Sequence, residues 1–95
     1  MIDLRQLRYF VAIVEQGSLS RAGNFLHVAQ PALSRHVLNM EADLGATLLF
    51  RTPSGVEPTE AGRILLRHAR IMLDQLTVAE EEIRGHLNDP EGEVR

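Results

Sequence analysis

The tightest constraint on this chain lies between Ser18 and Met40, where two apolar helical periods are separated by a few residues and the second opens on a proline. In the first, Leu19, Ala22, Phe25 and Leu26 recur at helical spacing behind Ser18, whose hydroxyl can accept from the free N–H groups of a helix start. Gly17, just before it, suits the left-handed end of a preceding helix. The second period begins at Gln30-Pro31, because proline's fixed φ and missing N–H fit a first helical turn. It then sets Leu33, Val37, Met40 and Leu44 four, three and four residues apart. The spacing predicts a helix-turn-helix over 19–38, with one stripe of each helix in the core.

The residues off that stripe carry the chemistry. At about 100° per residue, Pro31, Arg35, Leu38 and Asn39 fall on the face away from Leu33 and Val37, with Gln30 and Ser34 on its flank. A short helix presenting Gln, Ser, Arg and Asn after a tight turn has what a major-groove reader needs. Arg can bond guanine, and Gln or Asn can bond adenine, through two hydrogen bonds each. A merely solvated helix face carries the same residue types, so this face alone does not decide between the two.

The flanking segments complete a mainly α architecture. Asp3 is placed to cap a first helix whose Leu4, Leu7, Phe10, Val11 and Val14 keep one apolar side. Asp43-Leu44-Gly45 reads as a helix end. Residues 47–51 and 55–57 flank Thr52-Pro53-Ser54 and predict a short hairpin. Three helices and a small hairpin make a winged helix-turn-helix over residues 1–59. Thr59 then caps a long helix from about Glu60 to about Leu87, which at ~1.5 Å per residue would run roughly 40 Å. Within it Leu65, Ala69, Met72, Leu76, Ala79 and Ile83 alternate four and three apart, a seam of coiled-coil type, and Ile64, Ile71 and Val78 form a second apolar line. For Ile64 and Leu65 the chain's own domain can supply the cover. From Leu76 to Ile83 so small a domain has no surface left to offer, and the seam predicts a partner helix. Residues 60–88 are therefore assigned as a linker and dimerisation helix, and 89–95, with Asp89-Pro90-Glu91-Gly92, as an exposed linker.

A formal charge of −3 argues against binding a polyanion until the chain is divided. Residues 1–70 hold eight arginines against six carboxylates, and residues 71–95 hold two against seven, so the acid sits away from the candidate reader. There is no cysteine, hence no disulfide framework or thiolate metal site. The four histidines show no ligand spacing, and His27 is expected to pack near the turn. No nucleophile elbow, phosphate-binding glycine loop or paired carboxylates point to an enzyme, and no cofactor is expected. No run approaches the ~18 apolar residues of a membrane span and the N-terminus lacks a signal-peptide shape, so a cytoplasmic protein without membrane contact is predicted.

Taken in order, Leu7-Arg8-Tyr9-Phe10, residues 17–22 (Gly-Ser-Leu-Ser-Arg-Ala), residues 30–35 (Gln-Pro-Ala-Leu-Ser-Arg), Leu44-Gly45, Leu48-Leu49-Phe50-Arg51 and Thr59-Glu60-Ala61-Gly62 resemble the N-terminal domain of LysR-type transcriptional regulators across essentially the whole chain. The resemblance implies a sequence-specific, double-stranded-DNA-binding domain that acts on dyad promoter sites. It implies a homodimer through antiparallel linker helices, tetramers in the full-length protein, and a small-molecule inducer bound only by a further C-terminal domain that the last residues here would enter. Carried over position by position, Gln30, Pro31, Ser34 and Arg35 would read bases, with Asn39 added from the helical face. Arg51 would supply the wing contact, and Arg5, Ser18, Ser20 and Thr52 would meet the backbone or minor groove.

Three departures from the family pattern stand out. Ala29 replaces a frequent capping Ser, a loss worth ~1 kcal/mol. Leu38 replaces an often basic or polar residue, leaving it to touch a thymine methyl or pack on a neighbour. Ser54 stands where many members have a wing-tip Arg. A winged-helix module that uses the same surface for protein assembly, without DNA specificity, is the competing expectation.

Overall fold

The computed structural model describes residues 1–88. Its elements are α1 (Leu4–Gln16), α2 (Leu19–Leu26), α3 (Gln30–Leu44), β1 (Leu49–Thr52), β2 (Gly55–Pro58) and α4 (Glu60–Asn88). The 89–95 linker assignment lies outside the described residues.

The helix boundaries follow from local capping. Asp3 accepts from the Gln6 backbone N–H at 2.8 Å, and the Gln6 side chain accepts in return from the Asp3 N–H, closing a capping box. Gly17 ends α1 at φ 71°, and Ser18 caps α2 by accepting from the Arg21 N–H. Ala29 offers α3 no side-chain cap, so that helix starts on Pro31 alone. Gly45 ends α3 in the left-handed region, and Thr59 accepts from the Gly62 N–H at 3.0 Å to start α4.

Phe10, Ile13, Ala22, Leu33, Met40 and Leu48 form the centre of the core, with Leu19, Val37 and Val56 around them. Three expected core positions lie elsewhere. Phe25 is 65% exposed. The inward stripe of α2 runs through Leu19, Ala22 and Gly23 to the half-buried Leu26, and Phe25 lies about 100° from Leu26, on the flank. Leu44, the last residue of α3, is 50% exposed because it extends past the domain's edge, and Leu4, in the first turn of α1, is also exposed. His27 does not pack at the turn either. It is an exposed residue holding φ 60° as the end of α2. The turn instead closes on Gly23, whose carbonyl accepts from the Val28 N–H at 3.0 Å.

The hairpin pairs Leu49 with Pro58 through Thr52 with Gly55, antiparallel, around a Pro53-Ser54 turn in which the Thr52 hydroxyl accepts from the Ser54 N–H. It is docked at two points. The Val56 N–H donates to the Gly17 carbonyl at 3.0 Å, fixing β2 to the corner between α1 and α2. The Glu41 carboxylate accepts from the Leu48 N–H at 2.8 Å, fixing the entry of β1 to α3. The wing is therefore tied both to the α1–α2 corner and to α3, the second helix of the helix-turn-helix.

Candidate nucleic-acid interface

The face of α3 turned from the core carries Gln30, Pro31, Arg35 and Asn39 exposed, and Ser34 half-buried, as the helical period requires. Pro31, Arg35 and Asn39 follow one another at four-residue steps along this face. Gln30 is held from the side by the Ser20 hydroxyl, which donates to its Oε1 at 3.1 Å. That contact leaves the Gln30 amide group and one oxygen lone pair available for a base edge.

Two adjoining clefts tie α3 to the other candidate contacts. One is lined by Ser18, Ser20, Gln30, Arg51 and Thr52 together with the rest of the wing turn. The other, of about 200 Å³, lies between α3 and the wing and is bordered by Ser34, Leu38, Glu41, Leu49 and Arg51. Arg51 lines both clefts, so the strand side chain joins α3 to the N-terminal end of α2. Five of the expected contacts thus surround one polar depression. Arg5, Pro31, Arg35 and Asn39 line neither cleft. Arg5 is nevertheless anchored next to α3, because its neighbour Gln6 is buried and bonds the His36 ring at 3.2 Å, with Tyr9 edge-on to the same ring.

Among the described residues, no carboxylate forms an ion pair with Arg5, Arg35 or Arg51. Arg21 differs, because its guanidinium donates twice to the Gln16 carbonyl, at 2.9 and 3.1 Å, and so braces the end of α1. Glu41 and Gln6 were not singled out from the sequence as site-forming residues, and both tie α3 to other elements. The Asp3-Gln6 capping pattern marks Gln6 locally, but not its bond to His36 thirty residues on, and no helical period marks the bond of Glu41 to the entry of β1.

On α4 the expected partner seam divides. Ala69 is fully buried and Leu65 packs on the chain's own core, beside an ion pair of Arg70 with Glu15 of α1 at 3.2 Å. This corrects the assignment of Leu65 and Ala69 to a partner surface, since the chain's own domain covers both and α4 meets α1 at Arg70 and Leu73. The apolar side left uncovered joins Met72 and Ile83 of the expected seam to the second apolar line, and it includes Ile64, for which the chain's own domain was expected to supply cover. Ile64, Ile71, Met72, Val78 and Ile83 are between 41 and 60% exposed. Leu76 is half-buried and Ala79 exposed. No described helix is long and apolar enough to cross a membrane.

Residues 4–63 match the family described as bacterial regulatory helix-turn-helix protein, lysR family. The nitrogen assimilation regulatory protein nac of Klebsiella aerogenes is 52% identical over 79 residues, covering 83% of this chain and 26% of that protein. The HTH-type transcriptional regulator ClcR of Pseudomonas putida is 38% identical over 94 residues, covering 99% of this chain and 32% of that protein. The chain thus spans about a quarter to a third of the length of these curated relatives. Among solved structures, the DNA-binding domain of CbnR in complex with DNA superposes with a TM-score of 0.82 at 38% identity, over 90% of this chain and 99% of that one.

Proposed function

The chain belongs to the LysR family of bacterial regulatory helix-turn-helix proteins, and from that membership we propose that it is the sequence-specific DNA-binding part of a transcriptional regulator. It places α3 in the major groove and the wing against the neighbouring backbone, and it works in the cytoplasm. The observation that supports this best is the meeting of the two clefts at Arg51, which sets the reader helix, the start of α2 and the wing on one surface carrying unpaired guanidinium groups. Gln30, Ser34, Arg35 and Asn39 read base edges, and Pro31 keeps the first turn of α3 close to the groove. Arg5, Ser18, Ser20, Arg51 and Thr52 hold phosphates or the minor groove, contacts that position the protein and carry little sequence information.

Two copies pair through the uncovered apolar side of α4 with their helices antiparallel. With Arg63 paired to Glu60 and Arg70 to Glu15, Arg67 remains in the first half of α4, which is net positive, while the second half, with Asp74, Glu80, Glu81 and Glu82 against Arg84, is net negative. Antiparallel pairing therefore faces unlike charges, whereas parallel pairing would face like charges. A small-molecule inducer would act through a further domain of the whole regulator, and tetramers would form at that level.

Arg35→Ala should weaken binding to a specific duplex by about 1–3 kcal/mol, the worth of one good bidentate base contact, and leave random-sequence binding nearly unchanged. Fluorescence anisotropy on the two duplexes measures both. Equal losses would reduce Arg35 to a phosphate contact. Arg51→Ala should weaken both and lower the slope of log affinity on log salt by about one, the value for one neutralised phosphate. A wild-type protein whose binding hardly depends on salt would instead be using this surface for protein assembly.

A further inference from the structure

We propose that Leu38 is a specificity-determining residue, reading the C5 methyl group of a thymine in the major groove. The inference rests on the DNA-binding reading above and names what one more side chain on that surface recognises. Leu38 is 65% exposed and stands among Gln30, Pro31, Ser34, Arg35 and Asn39 as the one long aliphatic side chain of that face. Its place on the helix explains the exposure. Leu38 follows Pro31 by seven residues and Arg35 by three, so it shares their face, about 10 Å along the axis from Pro31 at ~1.5 Å per residue.

Its surroundings narrow what it can meet. Leu38 borders the cleft shared with Ser34 and Arg51, so a duplex that engages both of those side chains also closes over it. A leucine can neither pair with a phosphate nor satisfy a base-edge donor or acceptor. The only apolar group a base pair presents in the major groove is the thymine methyl. Any other base there would leave the side chain against polar edges and desolvate them without a hydrogen bond. The wing does not remove Leu38 from this role, because Leu49, which lines the same cleft, leaves it mostly exposed.

The test begins with a duplex selected by the wild-type protein from a random-sequence pool. Each thymine of that duplex is then replaced singly by uracil, which removes only the methyl. Wild type should lose affinity about fourfold at one thymine per half-site, the worth of one buried methyl group. Leu38→Ala should bind the thymine and uracil duplexes equally, whereas Arg35→Ala should keep the fourfold difference. Circular dichroism checks that both variants are folded. Failure of the pool to yield any preferred duplex would remove the DNA-reading premise and this inference with it. A preferred duplex with no uracil-sensitive position, or a Leu38→Ala protein that still distinguishes uracil from thymine, would overturn the assignment of Leu38 alone.

Discussion

Ile71→Asp should give a folded monomer that has lost most of its affinity for dyad DNA. Ile71 is 59% exposed in the single chain and is absent from the core and its surrounding apolar shell, so a carboxylate there meets water and costs the domain little. In the proposed pair of antiparallel helices the same position is covered by a second copy. An uncompensated charge buried against an apolar partner costs about 3–5 kcal/mol, and a two-fold interface would bury one such charge from each subunit. Dimerisation should therefore weaken at least about a hundredfold, since each 1.4 kcal/mol is a factor of ten. Dyad affinity should fall with it, while half-site affinity changes little, because coupling of two readers at fixed spacing is what has been removed. Sedimentation equilibrium beside circular dichroism checks this. A variant that stays dimeric would place the subunit contact elsewhere, and one that unfolds would make Ile71 part of the domain's own packing.

The second large effect is expected at Gly62. In an exposed helix, Gly→Ala stabilises by roughly 0.5–1 kcal/mol, because the more restricted alanine loses less backbone entropy on folding. At Gly62 the sign inverts. A Cβ there would lie 2.1 Å from the Leu48 carbonyl oxygen and 3.2 Å from the Pro58 Cβ, so the first turn of α4 would have to lift from the base of the wing. Overpacking of this kind costs about 1–3 kcal/mol, or roughly 4–20 °C in Tm for a domain of this size. Gly85 is the internal control, since nothing lies within 4 Å of its added Cβ. Gly85→Ala should raise Tm slightly, and Gly62→Ala should lower it. A Gly62→Ala protein whose Tm rises as that of Gly85→Ala does would mean that α4 does not rest on Leu48 as closely as described.

The contrast between these glycines shows what the sequence could and could not convey. Ser18, Thr59, Gly17 and Gly45 act within a residue or three of their own positions, so their capping roles were legible from local pattern. The solvent-facing side of α3 was legible for the same reason, because a helical period converts spacing into direction. Gly62 belongs to a family motif and Gly85 does not, but the packing reason, the approach of Leu48 fourteen residues earlier, is not written in the helical period. Glu41 was silent for a related reason: its carboxylate serves backbone N–H groups seven and eight residues away, in another element. The apolar side of α4 was legible, but not the part of it that the chain's own domain covers. Periodicity shows that a helix has an apolar side wider than one stripe, and only the packing of Leu65 and Ala69 on the chain's own domain shows which part of that side remains for a partner.

The most direct test of the central claim is selection from a random duplex pool by the wild-type protein, followed by sequencing of what it retains. The account predicts enrichment of an inverted repeat, with two half-sites held at a constant separation by the paired α4 helices and each half-site conserved over the few base pairs that one recognition helix spans. Retention that depends on salt but enriches no sequence would contradict base reading by Gln30, Ser34, Arg35 and Asn39. Enrichment of a single unrepeated half-site would contradict the dimer.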